Sequence, residues 1–316
     1  MQGFLKTKPA LNQFLILVSV VLVSFFVVGL IGTLVLAAAT GIGIGEMADL
    51  AKIDLSKPGV IGFLRGLQFV QFLSLFVVPT IICTWLFSEN RKKYLWLKKP
   101  SNPGYFIVGV GIMLIAIPFT NWLGQLNQSI PFPSGIEKWM KEQEDDAAKT
   151  IQTLLSRHTI KDLLLNLFFI AGLAAIGEEL LFRGMAQRLL TKIFRNPWAG
   201  IVISAAIFSA MHMQFYGFLP RFALGVLLGS IYWYSGSLWV AILAHFIYDA
   251  VLIILAWLYP EMLLDDKASS VGNLTIAGLV SLVPVVVLLF WMKRRSPTSY
   301  ETAFADDAIP VKDNPF

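Results

Sequence analysis

The chain has 316 residues, 56% hydrophobic and only 14% charged, with a formal net charge of +5. Its mean hydropathy is +0.70. A soluble domain is nearer 45–50% apolar and about 25% charged, so this composition excludes an ordinary soluble protein and predicts an all-α, polytopic membrane protein. The sequence pI of about 9.2 does not point to a nucleic-acid partner. The basic residues cluster at the ends of hydrophobic runs, where they act as topology signals, and no nucleic-acid motif is present.

A helix that crosses a bilayer needs about 20 mostly apolar residues. Eight stretches are read as spans, in chain order 14–40, 61–87, 105–124, 165–190, 198–218, 220–235, 237–259 and 271–292. The first contains Leu36-Ala-Ala-Ala-Thr40, which resembles a signal-peptide cleavage site. Its apolar run is too long for a signal peptide, and it reads as an uncleaved anchor. The second holds Cys83, the single cysteine. That excludes an intrachain disulfide and a cysteine-based zinc site, and predicts a small buried hydrophobe.

Residues 125–160 form the one long polar stretch, with Pro131 and Pro133 and a surface or amphipathic helix expected over 136–158. His158 falls there and is assigned no role. The sixth span is short and contains glycine, so a tilted or partly re-entrant helix is expected. Gly225 and Gly229 have the spacing of close helix packing. Arg65 and Arg221, at span ends, read as interfacial anchors. The nine tryptophans read mostly as interface-belt residues. Residues 1–295 are thus expected to form one helical membrane domain. Residues 296–316, polar and net acidic, are expected to form a disordered tail.

Loop charges alternate along the chain. Lys6 and Lys8 precede the first span, and Glu46, Asp49, Lys52, Asp54 and Lys57 follow it. The next loop carries Glu89, Arg91, Lys92, Lys93, Lys98 and Lys99, and the 125–160 stretch is acidic. Arg188, Lys192 and Arg195 follow the fourth span, Glu261, Asp265 and Asp266 the seventh, and Lys293-Arg294-Arg295 the last. Loops rich in Lys and Arg stay cytoplasmic. This predicts a multi-pass protein of the plasma (inner) membrane with both termini in the cytoplasm.

Three polar insertions break the apolar segments: Glu178-Glu179-x-x-x-Arg183, Phe208-x-x-x-His212 and His245-x-x-x-Asp249. An ionisable side chain within a membrane costs at least a few kcal/mol unless it is paired or faces a cavity. On a helix, Glu179 and Arg183 share a face and can pair, while Glu178 is rotated by about 100° and stays free for chemistry. Phe208 sets an aromatic wall one turn from His212. Asp249 stacks on His245, where it can accept from a ring N–H and fix its tautomer or face a substrate.

Centring the embedded part of span four on 168–190 brings all three motifs within about 10 Å of the midplane. Such a set supports water activation: a carboxylate as general base, an imidazole orienting the water, and donors for an oxyanion. Glu178, His212 and His245 are also residue types that hold Zn²⁺ with a position open for water. The H-E-x-x-H pattern is absent.

In this order and on successive hydrophobic segments, the three motifs resemble the CPBP family, the CAAX-processing and bacteriocin-processing (Abi) intramembrane proteases that include the type II CAAX prenyl endopeptidases. The resemblance covers about residues 165–260. It implies a helical membrane fold with a catalytic cavity open to the cytosol, and peptide-bond hydrolysis. It makes Glu178 the catalytic base, His212 its partner on the water, His245 and Asp249 the oxyanion stabilisers, and Glu179, Arg183 and Phe208 supporting residues. The position of Asp249 is often Asn in the prenyl endopeptidases, and an ionised Asp cannot donate to an oxyanion.

The resulting expectation is an intramembrane endopeptidase acting on a membrane-associated or prenylated, CAAX-like protein or peptide. No cofactor is required on this reading, with zinc as the alternative. Its partners are membrane lipid and a peptide or protein substrate. The competing readings are a proton- or ion-coupled transporter, since Glu, His and Asp also build proton relays, and a non-catalytic immunity or scaffold protein of the same fold.

Overall fold

The computed structural model describes residues 2–43, 59–260 and 271–305. The acidic stretches around Glu46 and Asp265 lie outside them. Among the described residues all regular structure is helical. In chain order the helices are α1 (Ala10–Thr40), α2 (Val60–Phe87), α3 (Gly104–Gln128), α4 (Ser134–Leu155), α5 (Ile160–Phe194), α6 (Pro197–Met211), α7 (Phe215–Ser235), α8 (Leu238–Leu258), α9 (Leu274–Arg295) and the short α10 (Tyr300–Phe304). A single turn, Arg91–Tyr94, lies between α2 and α3. Seven of these are long and apolar enough to cross a membrane, and α6 is a shorter apolar helix. The chain is a multi-pass membrane protein, and each of the eight expected spans corresponds to one helix.

The fifth span does not continue to 218 as expected. Asn196 opens α6 by accepting from the Trp198 and Ala199 amides, and Pro197 at its first position is pre-set for a helix start. The helix then stops at Met211, and Met213 turns the chain with a positive φ of 57°. Asn127 at the end of α3 holds this turn, donating to the Phe215 carbonyl at 2.8 Å and accepting from the Leu219 amide at 2.7 Å. The sixth span, α7, is a regular helix that ends where Gly236 adopts φ 61°.

α5 is the axis of the molecule. Its 35 residues span about 52 Å at 1.5 Å per residue, and Glu178 stands near the middle. Small residues bring neighbouring helices against it and each other. A Cβ on Gly177 would lie 2.7 Å from the Phe76 ring of α2, and one on Gly225 of α7 would lie 2.9 Å from the Ala205 Cβ of α6. Gly229 likewise lets α7 approach the Gln187 side chain of α5.

Two ends of the bundle can be told apart by their contacts. At one, the Leu238 amide bonds to the Trp96 carbonyl at 3.0 Å and Tyr105 donates to the Arg295 carbonyl at 2.7 Å. This end carries Lys98, Lys99, Lys192 and Arg195. At the other end lie α4, the start of α5 and the turn into α7. Trp139 of α4 packs on Phe215 with ring centroids 5.7 Å apart.

Two expectations change here. The tail is not without structure throughout. Ser299 caps α10, and Phe304 is buried beneath the Arg188 guanidinium, 4.9 Å from its ring centre. The tail's low average hydrophobicity conceals two aromatic residues, Tyr300 and Phe304, on one helical face.

Arg65 is not an interfacial anchor either. It is 8% exposed and pins α2 to the start of α5, with its guanidinium 2.9 Å from both Asp162 Oδ1 and Asn166 Oδ1. The Asn166 amide in turn donates to the Leu154 carbonyl of α4 at 2.8 Å. Removing one partner of a buried ion pair costs about 3–5 kcal/mol. Arg65→Ala should therefore lower the thermal unfolding midpoint in detergent, and Arg65→Lys should recover part of the loss. An unchanged midpoint in Arg65→Ala would mean that the pair contributes no net stability.

Candidate active site

The three polar insertions converge. On α5, Glu179 and Arg183 are fully buried one turn apart, with Arg183 Nε 3.1 Å from Glu179 Oε2. The approach is an ion pair without hydrogen-bond alignment. The guanidinium also faces the Phe208 ring, 5.3 Å from its centroid. A π-helical stretch over Leu180–Gln187 follows the glutamates. Such turns recur at functional sites.

The second oxygen of Glu179 is engaged as well. His245 Nδ1, from α8, lies 3.0 Å from Glu179 Oε1. An ionised carboxylate only accepts, so Nδ1 carries the proton. Of the two roles open to Asp249, holding the tautomer of His245 falls to Glu179 of another helix, and Asp249 lines the cavity. Asp249 instead meets the other ring nitrogen, with Oδ2 3.4 Å from Nε2.

His212 caps the C-terminal end of α6. Its Nδ1 lies 2.9 Å from the Phe208 carbonyl. A carbonyl can only accept, so Nδ1 is protonated, and in the neutral ring Nε2 is left as an acceptor. That Nε2 faces Glu178 Oε1 at 4.0 Å, while His245 Nε2 faces Glu178 Oε2 at 3.9 Å. Glu178 thus stands between two imidazoles without a direct bond to either. These separations are too long for a hydrogen bond and suit a bridging water.

Phe208 packs at the centre of the site. It meets Phe182 and His212 edge to face at 5.1 and 4.9 Å and lies 6.5 Å from His245. It is 4% exposed and so holds both imidazole rings against an apolar wall.

The site opens into a cavity of about 1170 Å³ lined by Glu178, His212, His245 and Asp249. Its wall includes residues not singled out from sequence: Gln68 and Gln71 of α2, and Tyr248 of α8. Tyr248 lies 3.4 Å from Thr120, hydroxyl to hydroxyl. Two glutamines three residues apart in an apolar run were a readable signal, since they share one helix face.

Arg221, expected as an anchor in the lipid interface, instead lines this cavity. Gln214 holds its guanidinium through a carbonyl at 2.8 Å and a side-chain oxygen at 2.6 Å. The cavity leads to α4, where Gln143, Asp146 and Lys149 line its mouth. Towards the basic end it is closed by the buried layer of Glu179, Arg183, Met185 and Gln187. The expectations of a cytosolic cavity and of cytoplasmic basic loops are therefore incompatible in this chain.

The metal alternative has a geometric test. Zinc bonds of about 2.0–2.2 Å put tetrahedral ligand atoms roughly 3.3–3.6 Å apart. The two Glu178–imidazole separations, 4.0 and 3.9 Å, exceed this, and Asp249 already sits on the Nε2 side of His245. Among the described residues, no group of three His, Cys, Asp or Glu side chains is placed to hold a metal ion. The side chains as positioned stand wider apart than the ligand atoms of a bound zinc.

Comparison with known proteins agrees with the motifs. Residues 160–251 match the family model described as type II CAAX prenyl endopeptidase Rce1-like. The chain is 30% identical over 120 residues to the uncharacterized protein YpbD of Bacillus subtilis (strain 168), covering 37% of this chain and 57% of that protein. The chain thus spans little more than half the length of this curated relative. No solved structure matches. The α5–α8 segment that carries all three polar insertions is the segment that resembles the CPBP family of type II CAAX prenyl endopeptidases.

Proposed function

We propose that the chain is an intramembrane endopeptidase that hydrolyses a peptide bond in a membrane-associated protein or peptide, with Glu178 activating the attacking water. The observation that carries this reading is the contrast between the two adjacent glutamates. Glu179 has both oxygens engaged, by Arg183 and His245, whereas Glu178 turns both of its oxygens towards imidazole nitrogens at bridging distance in a cavity. The Rce1-like match over the same segment supports the reaction class.

In this scheme a water lies between Glu178 and His212. It donates one proton to the Glu178 carboxylate and points the other at the unprotonated Nε2 of His212. As the oxygen attacks the scissile carbonyl, Glu178 keeps the first proton and the carbonyl oxygen takes the negative charge. His245, with Nδ1 held on Glu179, donates from a protonated Nε2 to that oxyanion. Collapse of the tetrahedral intermediate breaks the C–N bond, and Glu178 returns its proton to the leaving amine. Asp249, beside the same Nε2, orients His245 and stabilises its charged form. It is a positioning group here, and an amide at this position would serve as a donor instead. Arg183 and Phe208 hold this frame without touching the substrate.

General acid–base catalysis contributes about 10²–10⁴-fold. Glu178→Gln should therefore reduce the rate of peptide cleavage at least a hundredfold while leaving the unfolding midpoint close to the parent value, and His212→Ala should act in the same direction. Cleavage persisting in both purified variants would sink the mechanism. Chelators should leave cleavage unchanged, and a loss restored by zinc would favour the metal alternative. Asp249→Asn should retain activity within about tenfold, since the amide can donate to the oxyanion directly. Complete loss would show that the negative charge at this position is required.

A further inference from the structure

The two ends of the bundle differ in charge, and the cavity belongs to one of them. Lys98, Lys99 and Arg195 lie in the short segments, and Lys192 and Lys293 in the last turns of α5 and α9, at the end where α7 meets α8. The opposite end carries α4, whose Glu137, Glu142, Glu144, Asp145 and Asp146 outnumber its Lys138, Lys141 and Lys149. Short loops rich in Lys and Arg are retained in the cytoplasm. The route from Glu178 runs past Gln68, Gln71 and Arg221 to Asp146 and Lys149 of α4, whose side chains are 49% and 59% exposed. In the other direction the buried layer below Glu179 is packed shut.

We infer that the cavity opens to the non-cytoplasmic side of the membrane, and that the site takes a polypeptide segment presented from that side rather than a cytosolic chain terminus. The substrate half of this inference rests on the peptidase reading. The sidedness rests on charge and packing alone.

The cavity suits such a segment. Its volume of about 1170 Å³ exceeds the roughly 300–1,000 Å³ typical of small-molecule pockets and accommodates several residues of extended chain. Gln68, Gln71 and Gln214 carry amides that both donate and accept, which matches the peptide groups of an unfolded backbone. Leu224, Leu252 and Ile253 offer apolar contacts for its side chains. Glu144 lies on the same helix, where burial holds its carboxyl above the usual carboxylate range and the charge of Arg221 pulls it back. Met140 of α4 is buried and Trp139 packs on Phe215, so α4 is docked on the bundle and is not a freely solvated loop.

The test is thiol labelling of the full chain in protoplasts with a membrane-impermeant maleimide. Cys83→Ala removes the one native thiol, and Lys149→Cys, Gln68→Cys and Lys99→Cys are introduced singly. Each is first shown to elute as a folded protein, with Gln71→Cys replacing Gln68→Cys if that variant does not. The expected result is labelling at 149 and 68 in intact protoplasts at least tenfold above that at 99, which labels only after permeabilisation. Labelling at 99 but not at 149 in intact protoplasts overturns the sidedness. Labelling at 149 with none at 68 or 71 overturns the open route. Full activity in Glu178→Gln would remove the peptidase reading and the substrate half while leaving the labelling pattern intact, so the two failures are distinct.

Discussion

A carboxylate in the middle of a membrane helix is tolerated only when something answers its charge, because the surrounding hydrocarbon does not. In this bundle Glu179 is that carboxylate, and its two oxygens take two different partners, Arg183 one turn along its own helix and His245 from α8. The second bond sets the register between α5 and α8 to within the length of a hydrogen bond. Phe208 of α6 then fills the space over Arg183 and between the two histidine rings. Three helices are thus located by one buried anion. Glu178 inherits its position from the arrangement without contributing to the ion pair.

This division gives adjacent identical residues different surroundings. Helical rotation carries one glutamate into the packed layer and the other into the cavity. The packed one is fully buried, while the side chain of Glu178 is 14% exposed. Burial of an engaged acceptor buys geometric precision, whereas partial exposure leaves a base able to exchange protons with water. Such a contrast needs no difference in residue type, only about 100° of rotation.

Much of this was legible from sequence. The segments were long, apolar and bounded by charge, so their number and order followed from bilayer thickness. The site was legible because its residues violate the composition of their surroundings at helical spacing. What sequence did not disclose depended on contacts distant along the chain. Nothing local pairs Glu179 with His245, 66 positions away, and the i, i+4 spacing pointed to Asp249 instead. Arg65 looked like an interface residue because its partners, Asp162 and Asn166, lie in another helix. The break after Met211 was hidden because apolar residues continue around His212 and Gln214 up to Phe218, and Asn127, which holds the turn, belongs to α3.

The groups around the pocket also differ in how their backbones are anchored. Glu178 and His245 sit within long helices, where any displacement must drag a hydrogen-bonded rod with it. His212 sits at the last turn of α6, against a chain reversal at Met213. Of the three, His212 alone is held by a helix end and a short turn and not by the interior of a long helix. The width of the pocket at His212 is thus set by the 212–217 turn, and Asn127 of α3 fixes the far end of that turn through its bonds to Phe215 and Leu219.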